Sequence, residues 1–154
     1  MPDARAALAA GTAVALLAAC RGDGATEVAA TVSRVADGDT LVVRLADGGA
    51  RERVRVLGID TPELGDCGAD EAAAATRSLA LRRRVSLRGD STQARRDRFG
   101  RLLAYVELPG GRDLGLELLR RGLARVYVYG RRPFERVADY RRAAAAGRTR
   151  APAC

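Results

Sequence analysis

The chain of 154 residues has no histidine, no tryptophan and no lysine, so all 27 basic side chains are arginine. Each absence removes chemistry. Without an imidazole there is no Ser-His-Asp or Cys-His pair and no histidine-ligated zinc. A nuclease or esterase built on a histidine base is therefore excluded. Without lysine there is neither a phosphate-loop lysine nor a Schiff base. Any catalysis must come from carboxylates, guanidinium groups, hydroxyls, thiols or a metal ion.

What is present fits one domain, on the usual scale of about 100–200 residues. The hydrophobic fraction of 47% is enough for a real core. The formal net charge of +8 points to a polyanionic partner, either nucleic acid or an anionic membrane. Richness in Ala, Arg and Gly without Lys is also what GC-rich coding gives, so charge alone decides nothing. Arg82, Arg83, Arg84, Arg88, Arg95, Arg96 and Arg98 crowd one stretch; they read either as phosphate contacts or as a solvated face.

Residues 1–19 read as an address rather than as fold. Arg5 opens a short basic start, and Ala6 to Ala19 is uncharged and apolar. That run is short of the roughly 20 residues that span a bilayer and suits a signal-peptide core. Its end, Leu17-Ala18-Ala19-Cys20, resembles the bacterial lipoprotein box, which implies cleavage before Cys20 and lipid on its sulfur. An ordinary signal peptide with an incidental cysteine is the alternative. Residues 20–27 then form a tether, and 28–154 the domain. In an exported protein the remaining cysteines, Cys67 and Cys154, favour one disulfide, two free thiols being the alternative.

Along the domain, Val28 to Val35 has strand composition. Asp37-Gly38-Asp39-Thr40 is a tight-turn signal. Leu41, Val43 and Leu45 alternate with Val42 and Arg44, and Val54 and Val56 with Arg53 and Arg55. Asp66 is a candidate cap for a helix over Ala69 to Leu81. Further strands are expected at Arg84 to Arg88 and Leu102 to Leu108, with a polar loop between them. Leu114, Leu118 and Leu119 mark a helix closed by Gly122. Val126 to Tyr129 is a further extended candidate, and Pro133 is the expected start of a last helix ending near Gly147. Five strands with interleaved helices suit a small barrel of the OB type.

Three pieces carry the polar groups of interest: D-G-D-T at 37–40, R-V-R-V-L-G-I-D-T-P-E at 53–63 and D-R-F-G-R at 97–101. Singly, each reads as a turn or a loop. Together they place Asp39, Asp60 and Glu63 at strand ends, and oxygen ligands of this kind suit Ca²⁺ or Mg²⁺. Arg55 and Arg101 stand nearby in sequence, and a guanidinium fork matches phosphate. A metal, a free carboxylate and two arginines suffice for phosphodiester hydrolysis without histidine or lysine.

These blocks, followed by L-L-R-R-G-L-A-R-V at 118–126, resemble the staphylococcal nuclease (thermonuclease) family in order and spacing, over about residues 30 to 147. The resemblance implies an α+β fold, a five-stranded OB-fold barrel with three helices. It also implies a Ca²⁺-dependent phosphodiesterase that cuts DNA and RNA with little sequence preference and leaves 3′-phosphates. By position, Asp39 and Asp60 would hold Ca²⁺ by their carboxylates and Thr61 by its carbonyl, with Asp37 behind them. Glu63 matches the general base, and Arg55 and Arg101 match the phosphate-binding arginines. Arg98 and Phe99 stand where a lysine and a tyrosine are common in the family. Tyr127 matches a nucleotide-contacting tyrosine, with Tyr129 or neither as alternatives because of a one-residue gap. Gly115 replaces an asparagine usual at the start of the second helix, which puts local stability in question. The implied partners are DNA and RNA, with a membrane through lipid on Cys20; a monomer with no obligate protein partner is expected. A non-catalytic OB-fold module that grips nucleic acid without cutting it is the rival reading.

Overall fold

A computed structural model describes residues 27–147. The segment expected to be a lipoprotein-type signal, Cys20 and Cys154 lie outside them. In chain order the elements are β1 (Glu27–Val35), β2 (Thr40–Leu45), β3 (Arg51–Val56), β4 (Ile59–Asp60), α1 (Ala69–Ala80), β5 (Arg84–Arg88), β6 (Leu102–Leu108), β7 (Arg112–Asp113), α2 (Leu114–Arg120), β8 (Arg125–Val126) and α3 (Val137–Gly147). A single 3-10 turn covers Tyr129–Arg131.

The strands pair in the order β3-β2-β1-β5-β6-β7, and β3 also pairs with β6, in parallel. That closing contact turns five strands into a barrel and removes their free edges. Alternation along each strand sets its inner face. Val32, Leu41, Val43, Val54, Val56, Val85 and Leu87 are buried, while their neighbours Thr31, Arg44, Arg53 and Arg84 are exposed. Helix α2 seals the core with Leu114, Leu118 and Leu119, each fully buried. Truncating one of these to Ala costs about 2–5 kcal/mol on the usual scale for core leucines.

Three local expectations are corrected. Asp66 does not cap α1. The cap position is Gly68, in the left-handed region at φ 84, with no side-chain hydrogen bond, and Asp66 contributes only its carbonyl, to the Ala69 N–H. The last helix begins at Val137, not at Pro133, because Phe134 first turns its ring into the core. The extended pairing near residue 126 covers only Arg125–Val126 before the chain turns.

Gly115 is a packing requirement rather than a weakness. A Cβ there would stand 2.6 Å from the Tyr140 hydroxyl. The cap of α2 is Asp113, whose carboxylate accepts from the Leu116 N–H at 3.1 Å. Cys67 is disulfide-bonded, and its partner lies outside the described residues. No helix among the described residues is long and apolar enough to cross a membrane.

Candidate active site

The turn between β1 and β2 is pinned before it can present a side chain. The Gly38 carbonyl accepts from the Thr76 hydroxyl of α1 at 2.6 Å. A Cβ on Gly38 would lie 2.8 Å from Thr61 and 2.9 Å from Ala72, so only glycine fits this approach. The Asp37 carboxylate accepts from the Asp39 N–H at 3.2 Å. Asp39 is thereby held nearly buried, 5% exposed, at the rim of the barrel. One of its oxygens accepts from the Thr61 N–H at 3.0 Å and the other from the Thr40 hydroxyl at 3.1 Å. Burial raises its carboxyl to about 6, even with the Arg55 guanidinium beside it.

Arg55, near the end of β3, is the hub. Its Nη1 donates to the carbonyls of Val56 at 2.9 Å and Ile59 at 2.7 Å. Its Nη2 meets Asp39 at 3.0 Å and Asp60 at 2.9 Å. Two carboxylates that contact one nitrogen face each other across a single small space.

Asp60 is also gripped by Arg125, whose Nε and Nη2 both reach its second oxygen, at 3.0 and 2.7 Å. The sequence reading missed Arg125. Its role follows from register, since Asp60 on β4 lies opposite Arg125 on β8, and opposite charges across a ladder attract. No local motif carries that information.

On the facing wall the Asp97 carboxylate organises the loop before β6. It accepts from the N–H groups of Phe99 and Arg101 and from the Arg101 Nε, at 2.9, 2.9 and 2.7 Å. Burial works against its charge, but these bonds hold its carboxyl below the usual carboxylate range. Arg101 also reaches the Thr40 hydroxyl at 3.3 Å. Arg98 and Arg101 lie 4.7 and 5.4 Å from the Phe99 ring centroid, a cation–π arrangement.

Most of these groups open on one cleft of about 720 Å³. Asp37, Asp39, Arg55, Asp60, Glu63, Arg98, Phe99, Arg101, Tyr127 and Tyr129 line it, so the structure brings together nearly all the residues expected from sequence. Thr61 is buried behind the wall and does not line the cleft. Tyr127 and Tyr129 both line it, with ring centroids 6.5 Å apart, which leaves both tyrosines in reach. Glu63 is exposed, and its side chain makes no hydrogen bond or ion pair with a described residue. The arginine-rich stretch at 82–98 is not one free patch, because Arg96 forks onto Glu52 with both contacts at 2.9 Å.

The donor set fits a hard divalent ion. Two opposed carboxylates, one of them buried and raised, would gain from a cation with oxygen preference. Among the described residues no three Asp, Glu, Cys or His side chains group to hold an ion. Main-chain oxygen and solvent would have to complete the coordination.

The model for the family described as "Staphylococcal nuclease homologue" matches residues 53–151. The match starts inside β3, so Asp37 and Asp39 lie ahead of it. The chain is 37% identical over 106 residues to "Endonuclease YncB" of Bacillus subtilis (strain 168), which covers 64% of this chain and 48% of that protein. It is 38% identical over 106 residues to "SPbeta prophage-derived endonuclease YokF" of the same organism, covering 64% and 34%. To the "Thermonuclease" of Staphylococcus intermedius it is 36% identical over 104 residues, covering 64% and 59%. The chain thus spans roughly a third to three fifths of the length of these relatives.

Proposed function

The chain belongs to the staphylococcal nuclease homologue family, and from that premise and the cleft we propose that it is a nuclease hydrolysing phosphodiester bonds of DNA and RNA. The observation that carries this reading is the convergence of Asp39, Asp60, Glu63, Arg55 and Arg101 on one cleft. Glu63 is the general base. Its carboxylate has no partner among the described residues and can take a proton from an attacking water. Arg101, fixed at its Nε by Asp97, presents its remaining donors to a phosphate oxygen. Arg55 is anchored through Nη1 on two carbonyls, so its Nη2 can turn from carboxylate to phosphate without loss of position. Together the two forks stabilise charge on the pentacoordinate transition state. Cleavage at the 5′ oxygen leaves a 3′-phosphate.

Asp39 and Asp60 would hold Ca²⁺ by their carboxylates, the Thr61 carbonyl could join them only from behind the cleft wall, and Asp37 fixes the loop that carries Asp39. When bound, the ion supplies a Lewis acid for a phosphate oxygen. Phe99, Tyr127 and Tyr129 offer ring faces to bases and Arg98 adds a charge. None of them reads a base edge, so sequence preference is weak. The signal-like composition of residues 6–19 supports export of a monomer, either anchored at the cell envelope by lipid on Cys20 or secreted.

The test is digestion of plasmid DNA and of RNA by the purified protein, with Ca²⁺, with Mg²⁺ and with EGTA. Cutting that EGTA abolishes and Ca²⁺ restores is expected. Binding without cutting under every condition would replace the enzyme by a gripping module. Cutting that chelator leaves untouched would remove the ion.

A further inference from the structure

Outside the cleft, the outer face of the barrel carries a second concentration of charge. Pairing is in register across four strands. Arg51 on β3 lies opposite Arg44 on β2, Arg44 opposite Thr31 on β1, and Thr31 opposite Arg84 on β5. In the neighbouring row Arg53 lies opposite Val42, and Val42 opposite Arg34. Partners in register share a face of the sheet. Because Val32, Val43, Val54 and Val85 fill the barrel interior, these arginines point outward.

All five are exposed, and none is in an ion pair with a described residue. Arg44 alone makes a side-chain hydrogen bond, to the Gly49 carbonyl at 3.4 Å. The Arg44–Arg51 pair sets like charges directly opposite each other, which destabilises a sheet. At the far end of β1, the Glu27 carboxylate is taken by the Ser86 hydroxyl at 2.5 Å.

The face is continuous with the cleft. Arg51, Arg53 and Arg55 alternate along β3 on one side, so their attachment points are about 6.7 Å apart. That is the scale of one nucleotide step in an extended strand. The last of the three is the hub of the cleft. Neighbouring strands, about 4.8 Å apart, widen the row into a band from Arg51 to Arg84.

The geometry points to a polynucleotide track: Arg34, Arg44, Arg51, Arg53 and Arg84 bind the phosphates of the single strand whose scissile bond lies in the cleft. This inference rests on the nuclease reading and gives it a direction, with substrate entering along β3. The contacts carry no base information, so they add length dependence and salt dependence without sequence preference. A membrane surface would also meet an arginine face, but continuity with the cleft through β3 favours a chain over a plane.

The experiment compares three proteins by fluorescence anisotropy with a labelled 20-nucleotide oligothymidine and with a labelled dinucleotide. They are the wild type, the triple variant Arg44→Gln/Arg51→Gln/Arg53→Gln, and the equal-charge control Arg77→Gln/Arg112→Gln/Arg141→Gln on α1, β7 and α3. The track variant replaces exposed side chains and relieves a like-charge pair, so it stays folded, as a thermal melt checks. Its affinity for the 20-mer is expected to fall roughly tenfold at low salt, and its log–log salt slope by about 2, or 0.7 per lost phosphate contact on single strands. Dinucleotide binding should change far less, and the control variant should keep the wild-type slope. Restoring charge with Arg44→Lys/Arg51→Lys/Arg53→Lys should recover most of the slope.

Equal losses in both variants would reduce the track to net charge and overturn it. Unchanged 20-mer binding by the track variant, beside a wild type that cuts, would overturn the track and spare the nuclease. A wild type that neither binds nor cuts would overturn both. A defect confined to phosphatidylglycerol vesicles would assign the face to a membrane instead.

Discussion

Two arginine–carboxylate clusters are built into this barrel, one beside α3 and one in the cleft, and they differ in what they leave unpartnered. Beneath α3, Arg136 donates to Asp113 at 2.6 Å and Glu107 at 2.5 Å and lies 4.2 Å from the Tyr105 ring centroid. The Tyr140 hydroxyl donates to the same Asp113 at 2.9 Å, and the Tyr105 hydroxyl to Asp90. Every carboxylate there has a hydrogen-bond donor, and the cluster staples α2, α3 and β6 together. At the cleft, one guanidinium nitrogen is shared by two carboxylates, Asp39 remains raised to about 6, and Glu63 has no partner among the described residues. The residue types are the same. What separates a staple from a working site is a carboxylate, Glu63, left exposed and without a side-chain partner among the described residues.

The contrast is broken hardest at Glu63. Glu63→Gln should cost about 10²–10⁴-fold in turnover, the scale of a positioned acid–base group. Its melting temperature should not move, because no contact is lost; plasmid digestion beside a thermal melt checks both. Asp113→Ala should do the reverse. It strands Arg136 and the Tyr140 hydroxyl and uncaps α2, and breaking such a buried pair costs about 3–5 kcal/mol. Denaturant titration reads that loss, while the folded fraction should still cut. Arg55→Lys should lose on the order of 10²-fold in kcat/KM, since one ammonium cannot span two carbonyls and two carboxylates. Near-normal turnover would remove Arg55 from the chemistry.

Most of the site was legible in sequence because its parts are short and local. Asp37 to Thr40 and Asp97 to Arg101 are each shaped by their own side chains, and Asp60 to Glu63 runs on directly from the end of β4. The barrel was legible for a similar reason, since Leu41, Val43, Val54 and Val56 keep a strict period of two. What stayed hidden depends on register and packing. Arg125 reaches Asp60 only because β4 and β8 pair. Arg96 is withdrawn from the arginine-rich stretch by Glu52, far away in sequence. Gly68 takes over the cap foreseen for Asp66, and Gly115 looked like a defect until Tyr140 filled its space.

Acid separates the two clusters further. Burial pushes the Asp90 carboxyl up, but hydrogen bonds from Thr92, Tyr105 and the Glu135 N–H outweigh it and hold the carboxyl below its ordinary value. A depressed folded value means stability that is present above the unfolded pKa, about 3.9. It is lost as pH falls through the folded value. Wild-type stability should therefore drop below about pH 4, and Asp90→Asn should flatten that limb while lowering stability at neutral pH; melts from pH 2 to 7 check this. The smallest effect is expected at Arg125→Gln. Its side chain is 80% exposed, and exposed pairs contribute about 0–1 kcal/mol. Asp60 keeps Arg55, so the melt should barely shift.

The most direct test is a calorimetric titration of Ca²⁺ into the wild-type protein and into Asp39→Asn/Asp60→Asn. The Asp39–Asp60 pair should give the wild type one binding site, absent from the variant, with the variant still folded. Equal heats in the two proteins, or none in either, would mean that the cleft's open charge is not waiting for an ion.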